Sequence, residues 1–147
     1  MPHFLEITID KFIFRVAADR LYTPEGLWAL ADGEQVRVGL SDFAQQRGGD
    51  VAFAEVRPAG TRLAAGEELA TLETIKVNTV FASPLAGTVV EVNPAMIGAP
   101  ENINQDPYGA GWLAVLSSAD WLADQRRLLD AQAYVKVIQG LAAAEAS

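Results

Sequence analysis

A mainly β fold with one short helix and one C-terminal helix is the class this sequence predicts. Short apolar runs alternate with turn residues along residues 27–116, and the spacing of apolar residues becomes helical after Ser118. The 147 residues make one domain, long enough for a core of its own. Half of the residues are hydrophobic, yet no run approaches the length of a membrane span. The N-terminal stretch lacks a basic region followed by a long apolar segment, so a cytoplasmic chain with no membrane partner is expected. A net charge of −8 argues against a nucleic-acid partner; it suits basic docking surfaces or solubility alone.

The elements follow in order. Residues 7–17 are apolar-rich and extended, with Ile9, Phe12, Phe14 and Val16 adding a strand or covering the core. Trp28-Ala29-Leu30 and residues 35–40 read as strands joined at Asp32-Gly33, a favourable hairpin turn. Ser41 can cap a short helix through Gln46 that ends at Gly48-Gly49. Residues 51–56 form another strand. Residues 67–73 partly alternate polar and apolar, Ser83-Pro84-Leu85-Ala86-Gly87 reads as a turn, and residues 88–92 as a strand. Residues 94–106 are loop-rich, and residues 112–116 form the next strand. Trp121, Leu122, Leu128, Leu129, Tyr134, Val137, Ile138 and Leu141 then recur at the spacing of a helix face. Gly140 is a candidate break in this helix, and Arg126 and Arg127 are expected to be solvated on its other face.

Glu73-Thr74-Ile75-Lys76-Val77-Asn78-Thr79 lies between two strand-like runs, bracketed by Gly60 and Gly66 before it and Gly87 after it. Lys76 is one of three lysines, against eight arginines. An amine at a hairpin tip, with apolar neighbours and a nearby carboxylate, can be acylated and can carry the attached group to other active sites. From the hairpin alone an ordinary surface lysine is the commoner reading. Little else is equipped for catalysis. His3 is the single histidine, near a terminus expected to fray. There is no Ser-His-Asp set, no histidine cluster and no phosphate-cradling G-x-x-x-x-G-K-[ST] loop; Gly109-Ala110-Gly111 is too short for a dinucleotide fingerprint. No catalytic residue and no metal site are assigned. Without cysteine, any thiol chemistry must come from an attached group.

The lysine motif resembles the E-S-V-K lipoylation site of the glycine cleavage system H proteins. Ser83-Pro84-Leu85-Ala86-Gly87-Thr88-Val89-Val90-Glu91-Val92-Asn93 is similar to that family's S-P-x-S-G-x-V-x-E-V-N. Asn104-Gln105-Asp106-Pro107-Tyr108-Gly109-Ala110-Gly111-Trp112-Leu113 is similar to its N-x-D-P-Y-G-x-G-W-L, and Gly39-Leu40-Ser41-Asp42-Phe43-Ala44-Gln45 to its G-I-T-D-x-A-Q. Gly49-Asp50-Val51 and Gly60-Thr61 also fall in place. The motifs run in the family's order over roughly residues 21–138.

The resemblance implies a flattened β-barrel or sandwich of the lipoyl-domain (barrel-sandwich hybrid) type with short flanking helices. Residues 1–20 would be an extension packed on a single domain of residues 21–147. It implies a non-catalytic, monomeric carrier with lipoate in amide linkage on Lys76, attached by a lipoate ligase or a lipoyl/octanoyl transferase. Glu73 would be a recognition residue for that enzyme, or else only a soluble strand edge. A pyridoxal-phosphate glycine decarboxylase would load an aminomethyl group on the arm. An aminomethyltransferase would take the one-carbon unit and release ammonia, and a dihydrolipoyl dehydrogenase would reoxidise the dithiol.

Two departures bear on the cargo. The family's Y-x-x-x-H-E-W is Tyr22-Thr23-Pro24-Glu25-Gly26-Leu27-Trp28 here, so Gly26 stands for the histidine and Leu27 for the glutamate. In the family that glutamate is thought to meet the cationic arm, and an aliphatic side chain cannot pair with an ammonium. The family's A-x-S-D after the lysine is Val77-Asn78-Thr79-Val80, which lacks the acidic residue. These changes favour an alternative, an H-like carrier of sulfur intermediates among the enzymes of a heterodisulfide-reductase-like sulfur-oxidation pathway. Family breadth favours glycine cleavage, which the sequence puts first. A biotinyl carrier, whose site reads M-K-M, fits Ile75-Lys76-Val77 poorly.

Overall fold

The computed structural model describes residues 3–146. The N-terminal apolar stretch is two strands, β1 (Phe4–Ile9) and β2 (Phe12–Ala17), paired antiparallel with Ile9 opposite Phe12. The chain reverses at Asp10, whose φ of 55° is left-handed, a conformation that Asp tolerates better than most residues. The expected single extended run is thus a hairpin, because Asp10-Lys11 is a turn that the surrounding apolar residues mask. The Ala18 amide donates to the His3 carbonyl at 2.7 Å, so the backbone at His3 is tied rather than frayed.

β3 (Leu21–Tyr22), β4 (Leu27–Asp32) and β5 (Gln35–Leu40) follow, and the β4–β5 turn falls at the expected place. Ser41 caps α1 (Asp42–Gly48), its hydroxyl accepting from the Ala44 amide, and Gly49 ends the helix at φ 84°. The second half of the chain runs β6 (Val51–Val56), β7 (Arg62–Leu63), β8 (Glu68–Thr74), β9 (Asn78–Ala82) and β10 (Gly87–Val92). Residues 94–106 hold two single turns of helix, α2 (Ala95–Gly98) and α3 (Asn102–Gln105), and β11 (Ala114–Ser118) begins two residues after the predicted strand.

The C-terminal helical period is divided between two elements. α4 (Trp121–Asp124) is one turn, capped by the Asp120 carboxylate on the Ala123 amide. The chain then passes through a 3-10 turn, is extended at Leu128, and pairs Leu129 with Tyr22. Asp130 accepts from the Ala133 amide at 2.8 Å and starts α5 (Ala131–Ala146). Gly140 lies inside α5 and does not break it. It faces open solvent, so its cost is only the propensity difference of about 1 kcal/mol from Ala. Arg127 is ion-paired with the buried Asp124 instead of merely solvated, while Arg126 is exposed.

The strands assemble into a six-stranded sheet, β3-β4-β5-β11-β10-β7, and a three-stranded sheet, β6-β8-β9, with β1-β2 as a separate pair. Neither large sheet closes on itself, so of barrel and sandwich the molecule is the open sandwich. The main core lies between the two larger sheets: Leu27, Val36, Val38 and Leu116 from one meet Ala54, Leu69, Leu72 and Phe81 from the other. Side chains alternate across a strand, so Trp28 leaves the opposite face of β4 and joins Phe14, Tyr22, Phe43, Tyr134 and Ile138 in a second cluster. This cluster holds β2, α1 and α5 against the sheet.

Two sequence features serve that second cluster. A Cβ on Gly39 would sit 2.5 Å from Trp28 Cζ2, so only glycine lets the indole lie flat on β5. Trp28 Nε1 donates to the Pro107 carbonyl at 3.0 Å, and the Arg20 guanidinium lies 4.6 Å from the indole centroid. Tyr22 and Tyr134 stack at 4.5 Å, and the Ser41 and Tyr134 hydroxyls are 2.7 Å apart. Burial pushes both phenols above their ordinary pKa, so they remain neutral near pH 7. Ser41 therefore serves both α1 and Tyr134. Ser41→Ala is expected to cost about 1–2 kcal/mol, read as a lower denaturant midpoint with unchanged slope.

Candidate functional site

Lys76 is at the centre of the three-residue tip Ile75-Lys76-Val77 that joins β8 to β9. Thr74 organises the tip. Its hydroxyl accepts from the Lys76 and Val77 amides, each at 3.2 Å, and lies 3.2 Å from the Val77 carbonyl. The Thr74 amide donates to the same carbonyl at 2.9 Å. A Ser/Thr side chain that closes a turn on its own backbone is the sequence signal for this role, one that the motif-based reading of the sequence passes over. The result is a braced loop whose side chains point outward: Lys76 is exposed, and Ile75 is 92% exposed. Glu73 is exposed on β8 between Phe53 and Asn78.

Lys76 projects over the C-terminal end of α1. A Cβ built on Gly49 would stand 3.9 Å from Lys76 Cε. Asn104 fixes this corner: its amide nitrogen donates to the Gly49 carbonyl at 3.0 Å, and its oxygen accepts from the Val51 amide at 2.9 Å. In the sequence Asn104 is visible only as part of a motif; its contacts cross 55 and 53 residues, beyond any local signal.

Two open grooves flank the lysine, each of about 440 Å³, and Phe43 and Arg47 line both. The first runs between Thr74, Val77 and Val80 of the hairpin and Pro24-Glu25 before β4. The second includes Lys76 itself, with Phe12 and Phe14 of the N-terminal hairpin and Ala142 of α5. Leu27 lies in neither; it is fully buried in the main core. By motif its position is that of a lost partner for the arm, but the β4 register turns the side chain inward, and the carboxylate on the groove wall is that of Glu25. Gly26, at φ 102°, packs so tightly that a Cβ would be 2.7 Å from the Ala44 Cβ, leaving no room there for a histidine in this backbone.

Among the described residues no three His, Cys, Asp or Glu side chains are grouped as for a metal ion, and no helix is long and apolar enough to cross a membrane. Because Lys76 is exposed and braced only through its backbone, Lys76→Ala should move stability by no more than about 0.5 kcal/mol, checked by chemical unfolding.

Comparison with known proteins gives a consistent picture. The family model described as glycine cleavage H-protein matches residues 20–140. A glycine cleavage system H protein of Thermus thermophilus is 41% identical over 124 residues, 84% of this chain and 96% of that protein. That of Bacteroides fragilis is 42% identical over 117 residues, 80% of this chain and 92% of its own. The crystal structure of a glycine cleavage system H protein from Mycobacterium marinum superposes with a TM-score of 0.73 at 34% identity, covering 81% of this chain and 95% of that one.

Proposed function

Because the chain belongs to the glycine cleavage H-protein family, we propose that it carries lipoate on Lys76 and shuttles an aminomethyl group among glycine decarboxylase, aminomethyltransferase and dihydrolipoyl dehydrogenase. The observation that carries this reading is Lys76 at the exposed, braced tip of β8–β9 within the span the family matches. The residues fit the group: an accessible amine for an amide bond, beside one groove walled largely by apolar side chains and a second with an aromatic wall. When attached, lipoate supplies the redox-active sulfur pair that takes up the one-carbon amine unit and is reoxidised after its release. The protein contributes presentation. Thr74 holds the tip rigid, so the arm pivots from a fixed point, and tethering raises its effective concentration at each partner site.

The same reading assigns Glu73 to recognition by a lipoate ligase or lipoyl/octanoyl transferase, since it is exposed three residues before the lysine. It takes residues 21–147 as the carrier domain with residues 1–20 as an extension packed on it, and the molecule as a cytoplasmic monomer without catalytic residues of its own. Glu25 on the groove wall supports aminomethyl over sulfur as cargo, because it offers the carboxylate that Leu27 does not. Glu25→Gln is then expected to raise spontaneous ammonia release from the methylamine-loaded protein up to about 5-fold, the limit for an exposed ion pair. An unchanged rate would remove this support.

The deciding test is reconstitution with glycine decarboxylase. The lipoylated chain should support exchange of the glycine carboxyl carbon with bicarbonate. No exchange, in a mixture that responds to an established H protein, would overturn glycine cleavage and leave the sulfur-carrier alternative.

A further inference from the structure

The second groove is built mostly by parts of the chain outside the span that the family matches. Ile9, Asp10, Phe12 and Phe14 come from the N-terminal hairpin, Ala142 and Glu145 from the end of α5, and only Phe43, Gln46, Arg47 and Lys76 from within residues 20–140. We propose that this groove is a resting site for the lipoyl arm of Lys76 in its uncharged disulfide form, distinct from the groove that Glu25 lines. The inference rests on the lipoyl reading of Lys76.

Three observations carry it. The tether begins there: Lys76 is itself a wall of the groove, so an acyl group on its amine enters without crossing solvent. The aromatic wall of the groove matches an alkyl chain with a disulfide. Phe12 and Phe14 stack with ring centroids 6.3 Å apart, and Phe14 meets Phe43 edge-on at 5.0 Å, a continuous aromatic surface of the kind sulfur packs against. Phe12 is 60% exposed, so its ring is open to a ligand. Finally, most of the rim charge is accounted for. Arg47 is ion-paired with Glu145 and stands 5.2 Å from the Phe43 centroid. Acylation removes the charge of Lys76, which leaves Asp10 of the β1–β2 turn as the remaining charged wall. The volume of about 440 Å³ is within the range of small-ligand clefts. Resting there would screen the disulfide from stray reductants while the carrier moves between partners.

The test uses the full chain, loaded with carbon-13 lipoate by a lipoate ligase, with intact mass as the first reading. In nuclear Overhauser spectra the arm's methylene protons should show cross-peaks to the Phe12 and Phe14 rings. A water-soluble phosphine should reduce the disulfide about 2- to 10-fold faster in Phe12→Ser than in wild type, the range set by sulfur–aromatic contacts. Val90→Ser, on β10 and lining neither groove, should leave the rate unchanged. Cross-peaks confined to Val77 and Val80, no cross-peaks at all, or a Phe12→Ser rate equal to wild type would each overturn the resting site and leave the lipoyl reading standing. Absence of the lipoyl mass would overturn both.

Discussion

Intact mass after incubation with a lipoate ligase is expected to rise by one lipoyl group in the wild-type chain and not at all in Lys76→Ala. Decarboxylase-dependent bicarbonate exchange should fall at least about 100-fold in that variant, because the effective concentration given by tethering is lost entirely. The prediction is sharp because the chain offers so few competing amines. Lys136 lies on the exposed face of α5, where no loop presents it. Lys11 is the stricter control, since it too occupies a hairpin turn, between β1 and β2. Its turn is two residues long, includes the left-handed Asp10, and has no glutamate three residues before the lysine. The Lys76 tip is longer, is braced by Thr74, and follows Glu73. Lipoyl addition that survives Lys76→Ala, on Lys11 or elsewhere, would refute the assignment.

The largest stability loss is expected for Leu27→Glu. By motif alone this substitution restores a family residue and should improve the hold on a cationic arm. The structure predicts the reverse. Leu27 is fully buried between the sheets, beside Val38 and Leu40 of the neighbouring strand and the residues of β8 beyond. A carboxylate there is either charged and unpaired or protonated and unsatisfied, a loss of about 3–5 kcal/mol. The melting temperature should drop by roughly 6–20 °C for a domain of this size. Glu25→Gln, on the surface two residues away, should leave melting within a degree or two (~0.5 kcal/mol). A Leu27→Glu protein that melts like wild type would mean that the β4 register differs from the one described.

Much of this molecule can be read without its fold, and the legible parts share a cause. The β4–β5 hairpin, the Ser41 cap and Gly49 stop of α1, the strand at residues 51–56 and the lysine hairpin are each specified by residues within about one turn or one strand of one another. Lys76 belongs to this class: a hairpin tip is exposed wherever the hairpin lies, so its availability follows from local chemistry. The segments that mislead are those in which two local signals conflict. Asp10-Lys11 is hidden in an apolar run, and the caps at Asp120 and Asp130 are masked by a helical period that spans α4 and α5 without joining them.

What the sequence by itself determined is therefore an exposed lysine on a turn, the residue on which the proposed carrier role rests, together with the class of the fold. Only the tertiary structure decided what surrounds it. Whether Leu27 or Glu25 reaches the arm depends on which face of β4 is covered, and that is set by its pairing with β5 and by the sheet packed opposite. That Gly49, Phe12 and Ala142 gather around Lys76 depends on α1, the N-terminal hairpin and α5 sharing one cluster with the far face of the same sheet. Side-chain direction in a strand reverses with a one-residue shift of register, and a groove between remote segments exists only after they pack. Neither leaves a mark in the local pattern from which the hairpin could be read.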